Sequence, residues 1–268
     1  MKVALRVGMR ADDLVNPLDG VLRDVKAMGY DGIELMLNTQ YTLSQRGPWS
    51  SEDIGPEMRA RFRQSAEKYG VEIASLSSDW AWGYARFCPR LSMWERGVEI
   101  LKSDVELAGD LGAKVILMHV GTSQGTWEEI SGIVKRVVEA GARRQVRVAF
   151  EAGIFARTGL GGLDALVRLV DEIGSPWFGV YEHCYWPRGT TQPHEEIALA
   201  GRRIKCLHSS ALNVQVDYDK MLSALRGVGY DYYWVFEVPW EQAQDSVDGY
   251  RYLMRKYGPH YTLDLANV

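Results

Sequence analysis

One feature restricts the fold more than any other: a rhythm repeated along the whole chain. Eight short apolar runs, at residues 3–8, 32–36, 71–77, 114–119, 146–151, 177–181, 204–208 and 232–238, are separated by longer stretches with helical spacing. The runs are rich in Val and Ile and do not alternate cleanly, which is the pattern of parallel strands covered on both faces. Between them, Leu91–Leu111 places Val98, Leu101, Val105 and Ala108 three and four residues apart, and residues 127–142 and Leu163–Ile173 do the same. Thr126 ahead of Trp127-Glu128-Glu129 reads as an N-cap followed by acids in the first turn. Gly29, Gly70, Gly112, Gly174 and Gly229 each stand where a helix must stop before the next strand. Eight such units in 268 residues predict a (β/α)8 TIM barrel, one domain over residues 1–268. No Pro/Gly/Ser-rich linker divides it. A doubly wound sheet is the alternative, but it usually needs fewer units and carries a Gly-rich turn after its first strand. Here that place holds Met9-Arg10-Ala11-Asp12-Asp13.

Composition narrows the function classes. With 31 Lys and Arg against 35 Asp and Glu, the formal net charge is −4. The basic balance expected of a nucleic-acid or acidic-membrane binder is absent. No run approaches the roughly 18–20 consecutive apolar residues of a membrane span. The apolar run before Arg6 and Arg10 is too short for a secretory signal. Cys88, Cys184 and Cys206 lack the short-spaced pairs of a zinc or redox motif, and three thiols cannot all pair within one chain. These features predict a cytoplasmic protein with reduced thiols and a small-molecule partner, without nucleic acid or membrane.

In this barrel the chemistry gathers at the C-terminal ends of the strands. Polar residues at those ends are few: His119, Glu151, Glu182, His208 and Glu237, with Glu34 inside the second run. Each strand-end acid follows strongly apolar neighbours, as in Val148-Ala149-Phe150-Glu151 and Trp234-Val235-Phe236-Glu237. A carboxylate there is costly unless it is paired or bound to a cation. Three carboxylates and an imidazole on one rim call for a positive group, and a divalent metal answers that need. Oxygen-rich ligation with one nitrogen suits Mn²⁺, Mg²⁺, Co²⁺ or Zn²⁺. Arg6, inside the first strand, is placed to pair with Glu34, inside the barrel or at its foot. Six tryptophans, Trp49, Trp80, Trp82, Trp127, Trp186 and Trp240, fall after strand ends. They either line a pocket for a ring or an aromatic aglycone, or seal the barrel mouth or an oligomer interface.

Several segments carry a family resemblance over nearly the whole chain: Gly29-Tyr30-Asp31-Gly32-Ile33-Glu34-Leu35, Gly112-Ala113-Lys114-Val115-Ile116 leading to His119-Val120-Gly121, Phe150-Glu151, His208 and Phe236-Glu237-Val238. In order and spacing they resemble the sugar phosphate isomerase/epimerase superfamily, the xylose isomerase-like TIM barrels. The resemblance implies a divalent metal, most often Mn²⁺, held by Glu151, Glu182, His208 and Glu237. It also implies that Glu151 and Glu237 work as acid and base on opposite faces of a substrate, and that the protein is a dimer or tetramer. Glu182 stands where the family usually has Asp. Tyr185 stands where many isomerases of the family carry His, with His183 nearby but out of step. Arg157 replaces the second Glu of the ketose epimerases, and Ser209-Ser210-Ala211-Leu212 lacks their Asp and Arg. The metal cradle is thus largely kept, while the usual ketose-reading residues are not.

The resulting expectation is an enzyme: a metal-dependent sugar isomerase or epimerase that removes a proton beside a carbonyl. Its substrate is a sugar, polyol or glycoside, contacted by His119, Tyr185, Trp80, Trp186 and Arg157. His119 either bonds a substrate hydroxyl or orients Glu151. A dehydratase or glycoside-cleaving lyase on the same site is the first alternative, and a non-catalytic partner subunit the second. An endonuclease of the same superfamily uses several zinc ions, which five histidines supply poorly.

Overall fold

A computed structural model of the chain describes residues 1–8, 18–37, 51–52, 54–78, 91–118, 125–156, 159–184 and 191–258. Eight parallel strands close into one barrel in sequence order: β1 (Lys2–Gly8), β2 (Gly32–Leu37), β3 (Glu72–Ser78), β4 (Val115–Met118), β5 (Arg147–Glu151), β6 (Phe178–His183), β7 (Ile204–Ser209) and β8 (Tyr233–Phe236). A helix follows each strand: α1 (Asp19–Met28), α2 (Pro56–Tyr69), α3 (Leu91–Leu111), α4 (Trp127–Arg144), α5 (Leu163–Ile173), α6 (Pro193–Ala200), α7 (Tyr218–Gly227) and α8 (Ala243–Tyr257). The chain is therefore a (β/α)8 TIM barrel. Among the described residues no helix is long and apolar enough to cross a membrane.

Local chemistry sets the element ends. The hydroxyl of Thr126 accepts from the backbone N–H of Glu129 at 3.2 Å, and the Glu129 carboxylate accepts from the N–H of Thr126 at 2.8 Å. This reciprocal pair satisfies two amides that the first turn of α4 leaves open. Gly29 at φ 93° and Gly174 at φ 64° end α1 and α5 in the left-handed conformation that glycine adopts without steric cost. Along α3, Val98, Leu101, Val105 and Ala108 are all buried against the barrel wall.

The core has two layers. Outward-facing strand residues such as Leu5, Ile33, Leu76 and Leu207 pack beneath the helices. Inside the barrel a smaller cluster of Ala4, Ala74, Val115, Leu117, Ala149, Tyr181, Cys206 and Val235 fills the interior. Alternation along each strand then decides which polar side chains continue that inner stack toward the rim. Register brings Arg6 beside Glu34, Glu34 beside Ser75, Glu151 beside Tyr181 and His183 beside His208. The last pairing comes after a one-residue shift: Val180 faces Ile204, but Tyr181 faces Cys206. Lys205 is the extra residue, a β-bulge that re-aims the side chains beyond it.

One buried acid belongs to the wall rather than to the rim stack. Asp104 on α3 is fully buried and accepts a hydrogen bond from Ser78 at the end of β3. Burial lifts its carboxyl to about 6, so the folded chain holds this proton where the unfolded chain releases it near 3.8. A raised carboxylate contributes stability at pH below 3.8 that is lost as pH rises through about 6. Asp104→Asn should therefore gain roughly 2 kcal/mol over the parent between pH 4 and pH 8. Urea unfolding at the two pH values checks it, and an equal difference at both would contradict the assignment.

Candidate metal centre

The C-terminal ends of β5, β6 and β7 carry Glu151, His183 and His208, each buried, with one potential ligand atom from each lying within 4.8 Å of the others. The His183 Nδ1 is 2.9 Å from Glu151 Oε1. Glu237, one residue past β8, continues the ladder by donating its backbone N–H to Ser209 at 2.8 Å. Its Oε2 faces both rings, 3.6 Å from His183 Nε2 and 3.9 Å from His208 Nδ1. Its other oxygen accepts from the Arg6 guanidinium, which also bonds Ser77 at 3.2 Å.

Beneath this ring lies Glu34, with no exposed surface. One of its oxygens is 2.7 Å from His208 Nε2 and 3.6 Å from Arg6 Nε. The other accepts from the hydroxyls of Ser75, at 2.7 Å, and Tyr181. Burial opposes charge on Glu34, but the hydrogen bonds from His208 and Ser75 and the nearby Arg6 guanidinium hold its carboxyl below the ordinary carboxylate range. Burial, with Cys206 and Glu34 nearby, holds Tyr181 as a protonated phenol. Burial also pushes His183 down to about 4, against the pull of Glu151, which keeps the ring neutral and able to offer a lone pair.

The site residues expected from the sequence divide into three groups. Glu151, His208 and Glu237 meet at one rim, with the expected Arg6–Glu34 pair inside the barrel directly beneath them rather than at its foot. Glu182 does not join them. It is buried in register with Leu207, whose side chain belongs to the outer core, so it lies on the face of β6 opposite His183. His119, Tyr185, Arg157, Trp80 and Trp186 lie outside the described residues, as do Trp49 and Trp82. Trp127 makes a helix-to-helix contact: its ring lies under the Arg168 guanidinium and its Nε1 donates to Glu172 at 2.7 Å. Trp240 is partly exposed after β8.

His183 is the residue that the family spacing left out of step, and the structure puts it in the ring. Glu182 and His183 are adjacent polar residues ending an apolar strand, so composition offers no choice between them. The available signal was parity counted back from the inner stack through Tyr181, and the β7 bulge hides it.

The donor set fits a divalent cation. His208 Nδ1 is buried and has no hydrogen-bond partner in the structure. Three inward carboxylates, Glu34, Glu151 and Glu237, against one guanidinium, Arg6, leave a net charge of −2 among the described groups of this layer, counting the imidazoles as neutral. Such a buried imbalance is costly without a counter-charge.

The chain matches the family model described as xylose isomerase-like TIM barrel over residues 22–257. It belongs to that family. In solved structures, the D-psicose 3-epimerase of Clostridium cellulolyticum H10 superimposes with a TM-score of 0.75 at 13% identity, covering 95% of this chain and 99% of that one. An L-ribulose 3-epimerase gives 0.72 at 15%, covering 98% and 99%. The 3-keto-D-glucoside 4-epimerase of E. coli gives 0.68 at 14%, covering 94% and 100%. At these identities the likeness is one of fold. Among curated relatives, a probable endonuclease 4 of Thermotoga maritima is 27% identical over 81 residues, 30% of this chain and only 28% of that protein.

If the inward set holds the ion, purified protein should carry about one transition-metal ion per chain. His183→Ala and His208→Ala should lose nearly all of it, and Glu182→Gln should keep it. Elemental analysis decides, and loss in Glu182→Gln with retention in His183→Ala would reverse the assignment.

Proposed function

We propose that this protein is a divalent-metal-dependent sugar isomerase or epimerase that acts by proton abstraction beside a carbonyl. The observation that carries the reading is the convergence of Glu151, His183, His208 and Glu237 at the catalytic end of the barrel, above a layer whose charge calls for a cation. Family membership and the sugar epimerases among the structural neighbours support it. The nuclease named among the relatives matches over 81 residues only, and the −4 net charge is not the basic balance expected of a nucleic-acid binder.

In this reading Glu151, His183, His208 and Glu237 hold the ion. Two imidazoles with two carboxylates suit Mn²⁺, Co²⁺ or Zn²⁺ better than Mg²⁺. When bound, the metal supplies Lewis-acid stabilisation of the oxyanion that develops on the substrate carbonyl. The chain's own residues do the rest. Glu151 and Glu237 stand on non-adjacent strands and reach a substrate from different sides. One removes a proton from the carbon beside the carbonyl and the other returns a proton to the opposite face.

Their surroundings differ, as an acid–base pair requires. Glu237 is tied to the Arg6 cation. Glu151 faces the neutral ring of His183. The substrate is a sugar, polyol or glycoside, with His119, Tyr185, Arg157, Trp80 and Trp186 as its contacts. The assembly is a dimer or tetramer in the cytoplasm.

Incubation of the Mn²⁺-loaded enzyme with a panel of keto-sugars and keto-glycosides in D₂O tests this. A turned-over substrate should keep its mass apart from one deuterium at the carbon beside the carbonyl. Glu151→Gln and Glu237→Gln should each lower kcat by about 10²–10⁴. A product lighter by water or by an aglycone would replace epimerisation with lyase chemistry on the same carboxylates. No turnover and no deuterium uptake across the panel would favour a non-catalytic subunit.

A further inference from the structure

We propose that Glu34 is a positioning residue that fixes the tautomer of His208, and so decides which imidazole nitrogen the barrel offers to a cation. Only the last clause rests on the metal reading above. Glu34 lies on β2 and His208 on β7, 174 positions apart in the chain, and neither has exposed surface. One oxygen of Glu34 is occupied by two hydroxyl donors, Ser75 at 2.7 Å and Tyr181. The other lies 2.7 Å from His208 Nε2. With Ser75 and Tyr181 donating to one oxygen and the Arg6 guanidinium 3.6 Å from the other, the carboxylate is surrounded by donors and acts as the acceptor in each contact. The hydrogen in that contact therefore belongs to Nε2. In the neutral ring Nδ1 is then left with its lone pair, buried, without a hydrogen-bond partner, and pointed into the space shared with Glu237. The opposite tautomer would press two acceptors, Oε1 and Nε2, together at 2.7 Å while placing a hydrogen on a nitrogen with no acceptor in hydrogen-bond reach, Glu237 Oε2 standing 3.9 Å away. Glu34 touches neither the proposed ion nor a substrate; its effect passes through the ring, as a carboxylate behind a ligating histidine acts elsewhere.

Glu34→Gln tests this because the amide has the same shape but a fixed division of roles. Its carbonyl oxygen is claimed by the two hydroxyls of Ser75 and Tyr181. Its NH₂ then faces Nε2, which must accept, and the hydrogen moves to Nδ1.

The readout is long-range ¹H–¹⁵N NMR of metal-free, ¹⁵N-histidine-labelled protein at pH 8, followed by Mn²⁺ titration. The expected result is Nε2–H in the parent, Nδ1–H in Glu34→Gln, and an affinity for Mn²⁺ lower by about 10- to 100-fold in the variant. Nδ1–H in the parent overturns the proposal, and that measurement needs no variant to fold. An unchanged tautomer in Glu34→Gln overturns it as well. Nε2–H in the parent and its inversion in the variant, with Mn²⁺ bound by neither, would support the role of Glu34 and sink the metal reading separately.

Discussion

A carboxylate without solvent at the centre of a parallel barrel survives only if donors surround it, and the architecture of this site depends on how Glu34 is surrounded. Its four partners come from four strands: Arg6 on β1, Ser75 on β3, Tyr181 on β6 and His208 on β7. Only the closed barrel brings these together, because strand neighbours alone reach β1 and β3. The network ties opposite walls across the interior. It also leaves two of its members a contact toward the rim. Arg6 extends to Glu237 and His208 turns its other nitrogen upward. A buried polar network that is fully satisfied on one side fixes the geometry of the groups on the other.

The site above is built on that floor. Its acidic and imidazole groups come from strand ends, whose positions the ladder fixes more tightly than a loop would. Glu237 and Glu151 at this rim have different neighbours, one a guanidinium and the other the ring of His183.

Much of this was legible in the sequence. The eight-fold rhythm, the Thr126 cap and the glycine stops are local signals, and each appears in the structure where its residues predicted. Glu151, His208 and Glu237 were legible because a polar residue that closes an apolar strand must find a partner at the barrel rim. Arg6 and Glu34 were legible as a pair, since a charged residue inside a buried strand needs an opposite charge. What was not legible depends on parity. Strands covered on both faces are apolar on both faces, so nothing along β6 says whether Glu182 or His183 points inward. The answer lies in the register against β7 and in the bulge at Lys205, a non-local fact. The hydrogen bond between Glu34 and His208 was hidden for the same reason: no pattern in one strand reports on another far away in the chain.

Where an ion sits in this barrel is open to direct measurement. Crystals of the protein loaded with Mn²⁺, measured for anomalous scattering, should give one strong peak within ligand distance of Glu151, His183, His208 and Glu237, with Arg6 still on the second oxygen of Glu237. A peak on Glu182, or none in a protein that otherwise folds as described, would contradict the inward-facing metal centre.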